Sequence, residues 1–506
     1  MGHDMDSQLA IELLGFVFLA YLSSVWYCWM TSSTPPVATP WAGLRKEVFK
    51  TTRASLRQVT GSIQTLAEGY AKPQSILPQE HIAWLIRQPD SRLSQWAARK
   101  ERNAMRYLSL GGDHMETMAL IGKVLNPCLQ RKTNRIQMNT YDEIRASVDD
   151  TMGLDEDSWH ETNLHEALQT IIDRAQCRVF FGFPLCRNKD YLFNVRRFVN
   201  CMGTGNLDVG QIPIWLNRHF WASLINVPLQ YYRAKFMKAL VPQVIECVQN
   251  FEHEDIELVT DQEADDFVTE IVKVVEHSGD GIYNKAPEYL AEELLLLSFA
   301  ALSSTAAAGT HLLLDILSSP VYMKTYETLR KEAAMVFSTE ADWGDQVTLQ
   351  GLVFTDSAIR EGLRQNPLQI RGLLREVMPA SGITLPDGNH IPQGTWIAVP
   401  FQPIHMDERF YSNADEFDPV RFARMRAEGD RLDSTHTSET CLAFSYGRHS
   451  CPGRWLVSQT LKLLIAYITL NYDVQLLDKR PLNTVFADTN IPSRSARISV
   501  RRRKRA

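Results

Sequence analysis

The stretch that decides the fold of this chain is Phe444-Ser445-Tyr446-Gly447-Arg448-His449-Ser450-Cys451-Pro452-Gly453. Gly447 permits a tight backbone turn, and Pro452 presets the backbone for a first helical turn. The apolar-periodic segment RWLVSQTLKLLIAYITL follows at residues 454–470 and predicts an amphipathic helix. Cys451 is therefore expected at a helix N-terminus, where free amides and the positive end of the helix dipole favour a thiolate over a thiol.

Two kinds of chemistry use a cysteine in this setting. A thiolate is a good metal ligand, which is the interpretation we favour for Cys451. A nucleophilic cysteine would need a histidine base, and His449 is the local candidate. The chain has 8 cysteines, which stand singly without Cys-x-x-Cys pairs, so neither a zinc site nor a disulfide framework is indicated. Most of them are expected to be reduced and buried.

Upstream, residues 287–318 predict one long buried helix. Pro287 opens it, acidic residues occupy its first turns, and Pro320 follows its end. Its middle, residues 299–310, consists almost entirely of Ala, Ser, Thr and Gly, which lets a flat ligand approach the backbone closely. Taken alone, the stretch would be better explained by tight packing against other helices.

A third element combines one carboxylate with two arginines. Glu361 and Arg364 lie three residues apart on a helix predicted over residues 355–367. A hairpin-like stretch at residues 382–399 separates them from Arg421. If Arg421 closes onto the other two, the three residues form a buried network with a structural role. Taken singly, a Glu-x-x-Arg pair is usually found on a protein surface.

The composition of the chain sets broad limits. It has 506 residues, of which 44% are hydrophobic, and a net charge of -6, so it is globular and has no broad basic field for nucleic acid. The chemically informative residues are dispersed without a low-complexity linker, so we expect one catalytic domain over residues 42–506. The basic run at residues 501–505 is interpreted as a solvated tail, with contact to anionic lipid as the alternative.

The N-terminus predicts a membrane anchor within residues 1–33. Residues 13–30 carry no charge, and 18 residues at about 1.5 Å each span roughly 27 Å, close to the hydrocarbon core of a bilayer. Acidic residues precede this run and basic residues follow it, which places the bulk of the chain in the cytoplasm. A cleaved signal peptide is the alternative, but it needs a basic leader and a small-residue cleavage site, and neither is evident in this segment.

Two further segments bear on the membrane. The proline-rich residues 34–41 predict a short stiff linker. A second apolar patch at residues 212–216, with Phe220 and Trp221, either dips into the same bilayer or packs in the core.

The ordered combination of these motifs resembles the cytochrome P450 family. Phe-x-x-Gly-x-His-x-Cys-Pro-Gly, the upstream Glu-x-x-Arg and the Pro-Val-Arg-Phe stretch at residues 419–422 carry the resemblance, which extends from the anchor to Val500. Residues 178–188 are similar to the membrane-bound filamentous-fungal branch associated with secondary metabolism. The resemblance implies a mainly α fold with small β-sheets, a long central helix over a haem, and an N-terminal transmembrane helix.

The resemblance also implies roles for single residues. Cys451 would be the axial ligand of haem b (iron protoporphyrin IX), a ligation that is a known property of the family. Phe444 would pack on the same side of the haem. His449 and Arg375 would contact the haem propionates, although Arg375 could instead be an ordinary surface or core residue. The structural triad would be Glu361, Arg364 and Arg421.

One motif departs from the family pattern. The helix over the haem usually reads small-small-x-acid-Thr-Thr/Ser, with histidine replacing the acid in many fungal relatives, whereas this chain has Ala300-Ala301-Leu302-Ser303-Ser304-Thr305. Ser303 thus replaces the acid, and a serine does not titrate near neutral pH. The hydroxyl of Ser303, Ser304 or Thr305 can still orient a water that delivers protons.

These expectations define a leading function and two alternatives. The leading one is a monooxygenase at the endoplasmic reticulum membrane that oxidises a lipophilic small molecule, of terpenoid, polyketide or alkaloid type, with O2 and electrons from an NADPH-cytochrome P450 reductase. The first alternative, which the altered motif favours, is an isomerase, dehydratase or oxidative cyclase that does not insert oxygen. The second alternative is a non-catalytic haem-binding membrane protein.

Overall fold

The computed structural model describes most of the chain. The described residues are 22, 64–66, 74–102, 133–211, 218–253, 266–277, 286–320, 323–427, 429, 432–486 and 488–504. The predicted anchor (apart from Leu22, which is helical), the linker at 34–41 and the apolar residues 212–216 lie outside them.

The described chain is mainly helical. The helices of eight residues or more are α2 (Gln95–Arg102), α3 (Thr133–Met152), α4 (Leu164–Phe181), α5 (Lys189–Gln211), α6 (Arg218–His253), α7 (Phe267–His277), α8 (Pro287–Leu317), α9 (Thr325–Val336), α11 (Val353–Gln365) and α14 (Arg454–Asn471). The shorter ones are α1 (Ile82–Arg87), α10 (Gln346–Gln350), α12 (Phe401–His405) and α13 (Arg421–Ala427).

The strands are short and form small sheets. They are β1 (Gln64–Leu66), β2 (Gln74–Ile76), β3 (Leu93–Ser94), β4 (His160–Asn163), β5 (Gly372–Val377), β6 (Ile383–Thr384), β7 (His390–Ile391), β8 (Trp396–Val399), β9 (Tyr472–Val474), β10 (Thr484–Phe486), β11 (Thr489–Ile491) and β12 (Arg497–Arg502). A mainly α fold with small β-sheets was the expectation, and it is confirmed.

The chain divides into two compact units, each assembled from separated stretches. The first contains residues 1–112, 200–230 and 372–400. Its sheet has the strand order β1-β2-β8-β5-β3, with β2 parallel to β8 and β5 antiparallel to β8. The predicted hairpin-like stretch supplies the β6-β7 hairpin and then β8, which joins this larger sheet.

The second unit contains residues 113–199, 231–371 and 401–506 and holds the long central helix. Helix α8 begins with Pro287 in its first turn and ends at Leu317, as predicted, and most of its side chains are buried. By length and composition it is the one helix among the described residues that is apolar enough to cross a membrane, but 67% of its most apolar window is buried inside the protein. It is therefore a core helix.

A glycine lets α8 pack closely on helix α14. A Cβ built on Gly309 would lie 3.3 Å from Cδ2 of Leu461 and 3.8 Å from Cδ2 of Leu464, both on α14. Leu168 of α4 lies at 3.8 Å from the same position. The small residues of α8 thus serve helix packing on this face, which was one of the two interpretations of residues 299–310.

Helix α11 is capped by another helix. Its own N-cap residue, Leu352, has no polar side chain, but Glu332 of α9 accepts hydrogen bonds from the backbone N–H groups of Phe354 and Thr355 at 2.5 and 2.8 Å. A carboxylate at a helix N-terminus satisfies free amides and complements the dipole. The cap fixes where α11 begins, and so where Glu361 and Arg364 lie.

The C-terminal basic run corrects a prediction. Arg501 and Arg502 belong to β12, and Nη1 of Arg502 donates to Oδ1 of Asp149 at 2.6 Å. The same oxygen accepts hydrogen bonds from the hydroxyls of Tyr467 and Tyr472 at 2.8 and 2.9 Å. The solvated-tail interpretation is wrong for these two arginines, because the pairing of β12 and the partly exposed acceptor Asp149 on α3 were not visible in the sequence.

We predict that Gly309→Val destabilises the second unit. The added isopropyl group would start from a Cβ only 3.3 Å from Cδ2 of Leu461, and overpacking of this kind costs about 1–3 kcal/mol. Urea unfolding of the full chain measures the loss. The matched control is Ala334→Val on the exposed face of α9, where only helix propensity changes, by less than about 0.7 kcal/mol. Equal effects of the two changes would contradict the close approach of α8 and α14.

Candidate active site

The loop that carries Cys451 (residues 444–453, the cysteine loop) is held by hydrogen bonds within its own backbone. The N–H of Cys451 donates to the carbonyl oxygen of Phe444 at 2.9 Å, and the N–H of Ser450 donates to that of Gly447 at 3.0 Å. Gly447 has φ of 80° and Ser445 has φ of 62°, so both lie in the left-handed region that lets the loop turn back on itself. The loop returns the cysteine to the level of Phe444 at the start of helix α14.

The helix begins slightly later than the sequence predicted. Gly453 is the N-cap and Arg454 is the first helical residue, so Cys451 lies three positions before α14. Cys451 is a partly exposed residue, unlike Cys177, Cys186 and Cys441, which are buried. Cys177, Cys186, Cys247 and Cys441 carry free thiols, in agreement with the predicted reduced state.

Space is open beside the sulfur. A Cβ built on Gly453 would meet Sγ of Cys451 at 4.0 Å and, apart from its neighbours in the chain, no other described atom nearer than that. Gly453 therefore places no side chain of its own next to the sulfur.

Helix α8 has an accessible stripe in the middle of its otherwise buried length. Ala300 is exposed, and Ser304 and Ala308, one and two turns further on, are partly exposed. Ser303 lies beside them and is partly exposed too. The hydroxyl of Ser304 donates to the carbonyl oxygen of Ala300 at 2.7 Å, which leaves its lone pairs free to accept from a water.

Thr305 lies on the opposite, packed face of α8. It is 1% exposed, and its hydroxyl has no hydrogen-bond partner among the described residues. Leu302 and Gly309, which share this face, are buried as well. The structure thus separates Thr305 from Ser303 and Ser304, with which the sequence had grouped it.

The structure brings Glu361, Arg364 and Arg421 together. Arg364 donates to both carboxylate oxygens of Glu361 at 2.8 Å, through Nε and Nη2. Nε of Arg421 lies 3.1 Å from both oxygens. The carboxylate also accepts from the N–H of Asp418 at 3.1 Å, and both Glu361 and Arg364 are completely buried.

His405 connects this triad to the cysteine loop. Its Nδ1 lies 3.1 Å from the carbonyl oxygen of Arg364, and its Nε2 accepts from the N–H of Leu442 at 2.8 Å. Burial, followed by the charge of Arg364, lowers the pKa of His405 to about 3, so the ring is neutral and can donate on one side and accept on the other. Leu442 in turn accepts from the N–H of Ser445 inside the loop. The sequence analysis missed this histidine.

Three predicted contact residues have well-defined surroundings. Phe444 is partly buried at the base of the loop, and Nε of Arg448 donates to Nε2 of the neighbouring His449 at 3.0 Å. In the first unit, Arg375 of β5 is 3% exposed and donates to the carbonyl oxygen of Leu374 at 2.9 Å. The predicted contacts of His449 and Arg375 with propionates stay predictions.

Arg454 is a second residue that the sequence analysis missed. Its Nη1 donates to the carbonyl oxygen of Cys451 at 2.7 Å and lies 3.3 Å from the hydroxyl of Ser450. Its guanidinium lies over the ring of Trp455, 3.6 Å from the centroid. Burial lowers the pKa of Arg454, and the nearby Cys451 sulfur opposes that effect.

The donor set fits a metal that arrives with its own ligands. Over the residues that the structure describes, no group of three His, Cys, Asp or Glu side chains is placed to hold a metal ion. The cysteine loop offers a single accessible thiol, and α8 offers a stripe without bulky side chains. A planar metal complex that needs one axial thiolate suits both features.

A cavity of about 390 Å³ lies next to Arg421 of the triad. It is lined by apolar, polar and charged residues of α9, α11, α13 and the segment before α13, among them Leu329, Phe354, Asp418, Arg421 and Arg424. None of its lining residues belongs to the cysteine loop or to α8, so it is not the site described above.

Comparison with known proteins is consistent with this geometry. The family model "Cytochrome P450" matches residues 119–500. Cytochrome P450 monooxygenase polB of Polytolypa hystricis is 44% identical over 496 residues, which cover 93% of this chain and 94% of that protein. Cytochrome P450 monooxygenase efuH of Hormonema carpetanum is 35% identical, covering 91% of this chain and 86% of that protein. Cytochrome P450 monooxygenase fsoD of Humicola fuscoatra is also 35% identical, covering 99% of each.

We predict that Glu361→Gln lowers the free energy of unfolding by about 3–5 kcal/mol, because two buried arginines would lose their counter-charge. The urea midpoint of the full chain measures this loss. The matched control is Glu340→Gln, which breaks an exposed pair with Arg145 and should cost no more than about 1 kcal/mol. A loss at position 361 as small as that at position 340 would contradict a structural role for the triad.

Proposed function

This chain belongs to the cytochrome P450 family, and from that membership we propose that it oxidises a lipophilic small molecule in secondary metabolism. It is a monooxygenase with a haem cofactor that uses O2, a small-molecule substrate and a redox partner. We propose an NADPH-cytochrome P450 reductase as that partner. A terpenoid, polyketide or alkaloid substrate fits the accessible stripe on α8, where the side chains are small and uncharged.

The observation that carries the proposal is the accessible thiol of Cys451 on a loop held by its own hydrogen bonds. Cys451 would be the axial ligand, Phe444 would pack beside it, and His449 and Arg375 would contact the propionates. When bound, the haem supplies the oxygen chemistry, which the electron density of the thiolate assists. The triad of Glu361, Arg364 and Arg421 would act structurally, by holding the segment that leads into the loop.

The residues of α8 would position protons through water. Ser304 has its own proton engaged with Ala300, so its oxygen is free to accept from a water on the accessible stripe. Ser303 stands beside it and adds a second hydroxyl. We give Thr305 a smaller part, because it lies on the packed face. None of these hydroxyls titrates near neutral pH, so in this proposal the protons would reach the active site through water molecules that the hydroxyls orient.

The serine at position 303 keeps a second function open. A haem-thiolate isomerase or dehydratase does not need protons delivered to oxygen, so the loss of the acid favours it, whereas an oxidative cyclase that does not insert oxygen still reduces O2 to water. Product formation without O2 and NADPH would favour an isomerase or dehydratase, and dependence on both without labelled oxygen in the product would favour an oxidative cyclase. Strict dependence on both, with one oxygen atom of labelled O2 in the product, supports the monooxygenase.

We propose that the chain is a single-pass protein of the endoplasmic reticulum membrane whose catalytic part faces the cytoplasm. The uncharged residues 13–30, with acidic residues before and basic residues after them, support this topology. Residues 1–33 would be the anchor, 34–41 the linker and 42–506 the catalytic domain.

We predict that the carbon monoxide difference spectrum of the reduced protein shows the red-shifted band of a thiolate-ligated haem, and that Cys451→Ala abolishes it. The substitution removes the thiolate while leaving the loop hydrogen bonds, which are made by the backbone. Cys247→Ala is the control, since it removes another partly accessible free thiol and should keep the band. A wild type without the band, or a Cys451→Ala variant with it, would disprove the assignment.

We predict that Ser304→Ala raises the release of peroxide per NADPH consumed by roughly 10-fold or more, at the expense of product, because a water relay loses its acceptor. The control is Ser298→Ala on the same helix. That hydroxyl makes the equivalent bond to the carbonyl oxygen of Leu294 at 2.9 Å, but it is fully buried. Equal coupling in Ser304→Ala and wild type would remove this hydroxyl from proton delivery.

A further inference from the structure

The cysteine loop holds a cation, Arg454, against the backbone of Cys451. Arg454 is fixed by the carbonyl oxygen of Cys451 at 2.7 Å, by the hydroxyl of Ser450 at 3.3 Å and by the ring of Trp455. Because Arg454 donates to the carbonyl oxygen of Cys451 itself, its positive charge is fixed next to the residue that carries the sulfur. An exposed arginine on a flexible side chain would be screened by water and salt.

We propose that Arg454 is a positioning residue whose charge, held beside Cys451, sets how readily the bound iron accepts an electron. The inference rests on the assignment of Cys451 as the axial ligand. It goes beyond that assignment because it names the residue that tunes the ligand.

The direction of the effect follows from electrostatics. Uptake of one electron by ferric iron to give ferrous iron adds one negative charge, and no bond forms or breaks. A fixed cation nearby stabilises the more negative state, so it raises the reduction potential. The same cation draws electron density from the thiolate, a ligand whose hydrogen bonding and surroundings are known to tune such sites.

A purely structural role for Arg454 is distinguishable from this one. The hydrogen bond to Cys451 needs only a donor, which glutamine also provides, whereas the charge needs arginine or lysine. Arg454→Gln therefore keeps a donor without the charge, and Arg454→Lys keeps the charge without the planar fork. If the hydrogen bond alone mattered, glutamine would behave like arginine.

The test is a reductive titration of the haem-loaded full chain with dithionite, which supplies the electron, in wild type, Arg454→Gln, Arg454→Lys and Arg497→Gln. The last variant is the matched control, because it removes one positive charge from an exposed pair with Glu161. The infrared stretching frequency of carbon monoxide on the reduced protein is recorded for each, as a readout independent of turnover.

We expect Arg454→Gln to lower the equilibrium constant for reduction about tenfold, a shift of ~59 mV to more negative potential for one electron. The stretching frequency should fall with it, because a more electron-rich thiolate increases back-donation. Arg454→Lys and Arg497→Gln should stay close to wild type.

Two results would overturn the proposal, and they are distinguishable. A thiolate band in every variant with an unchanged potential in Arg454→Gln would remove Arg454 from tuning and leave the ligand assignment intact. A wild type without a thiolate band would remove the assignment of Cys451, and this proposal with it.

Discussion

The charge of Glu361 is the constraint on which the cysteine side of this molecule depends. The carboxylate is completely buried, and a buried charge is tolerated only where ion pairs and hydrogen bonds replace its water. Arg364 and Arg421 provide this compensation, and each then needs acceptors for its remaining donors. Those acceptors are backbone carbonyls such as that of Ala414, at 2.7 Å from Nη1 of Arg364, and that of Ser412, at 2.5 Å from Nη1 of Arg421. Satisfying one carboxylate thus fixes the course of an irregular segment.

That constraint is passed on to the cysteine loop without a rigid secondary structure. His405 bridges the carbonyl oxygen of Arg364 and the N–H of Leu442, and its neutral ring suits both contacts. From Leu442 the loop closes through its own backbone to Cys451. A thiol on an isolated loop would sample many positions, whereas this one is anchored at one end by a buried network and at the other by helix α14. Preorganisation of this kind is what a metal ligand requires.

The sequence predicted the parts of this site that depend on local patterns. Helix α8 has its predicted start at Pro287 and its end near Ser318, because proline and apolar periodicity act over a few residues. The turn at Gly447 and the helix after Cys451 follow the same logic. Residues that act over long sequence separations were missed. His405 and the Asp149 contact of Arg502 are defined only by what folding brings beside them, and nothing in their neighbouring sequence marks them. Arg454 was missed for a different reason, since its partner Cys451 is only three residues away but the hydrogen bond depends on the turn of the loop.

The two elements of the site also differ in how strongly the chain constrains them. The position of Cys451 is restricted by the loop backbone, the triad, His405 and Arg454. A change at any of these is therefore expected to disturb the position of the cysteine. On α8 the accessible stripe is made of alanines and serines, whose side chains impose little shape and carry no titratable group. If Cys451 binds the haem iron as proposed, the protein would control electron donation to the iron tightly, whereas proton delivery would be left to water held by hydroxyls. The loosely constrained stripe would then accommodate a bulky apolar substrate, and coupling of electrons to product would depend on how well that substrate excludes the remaining water.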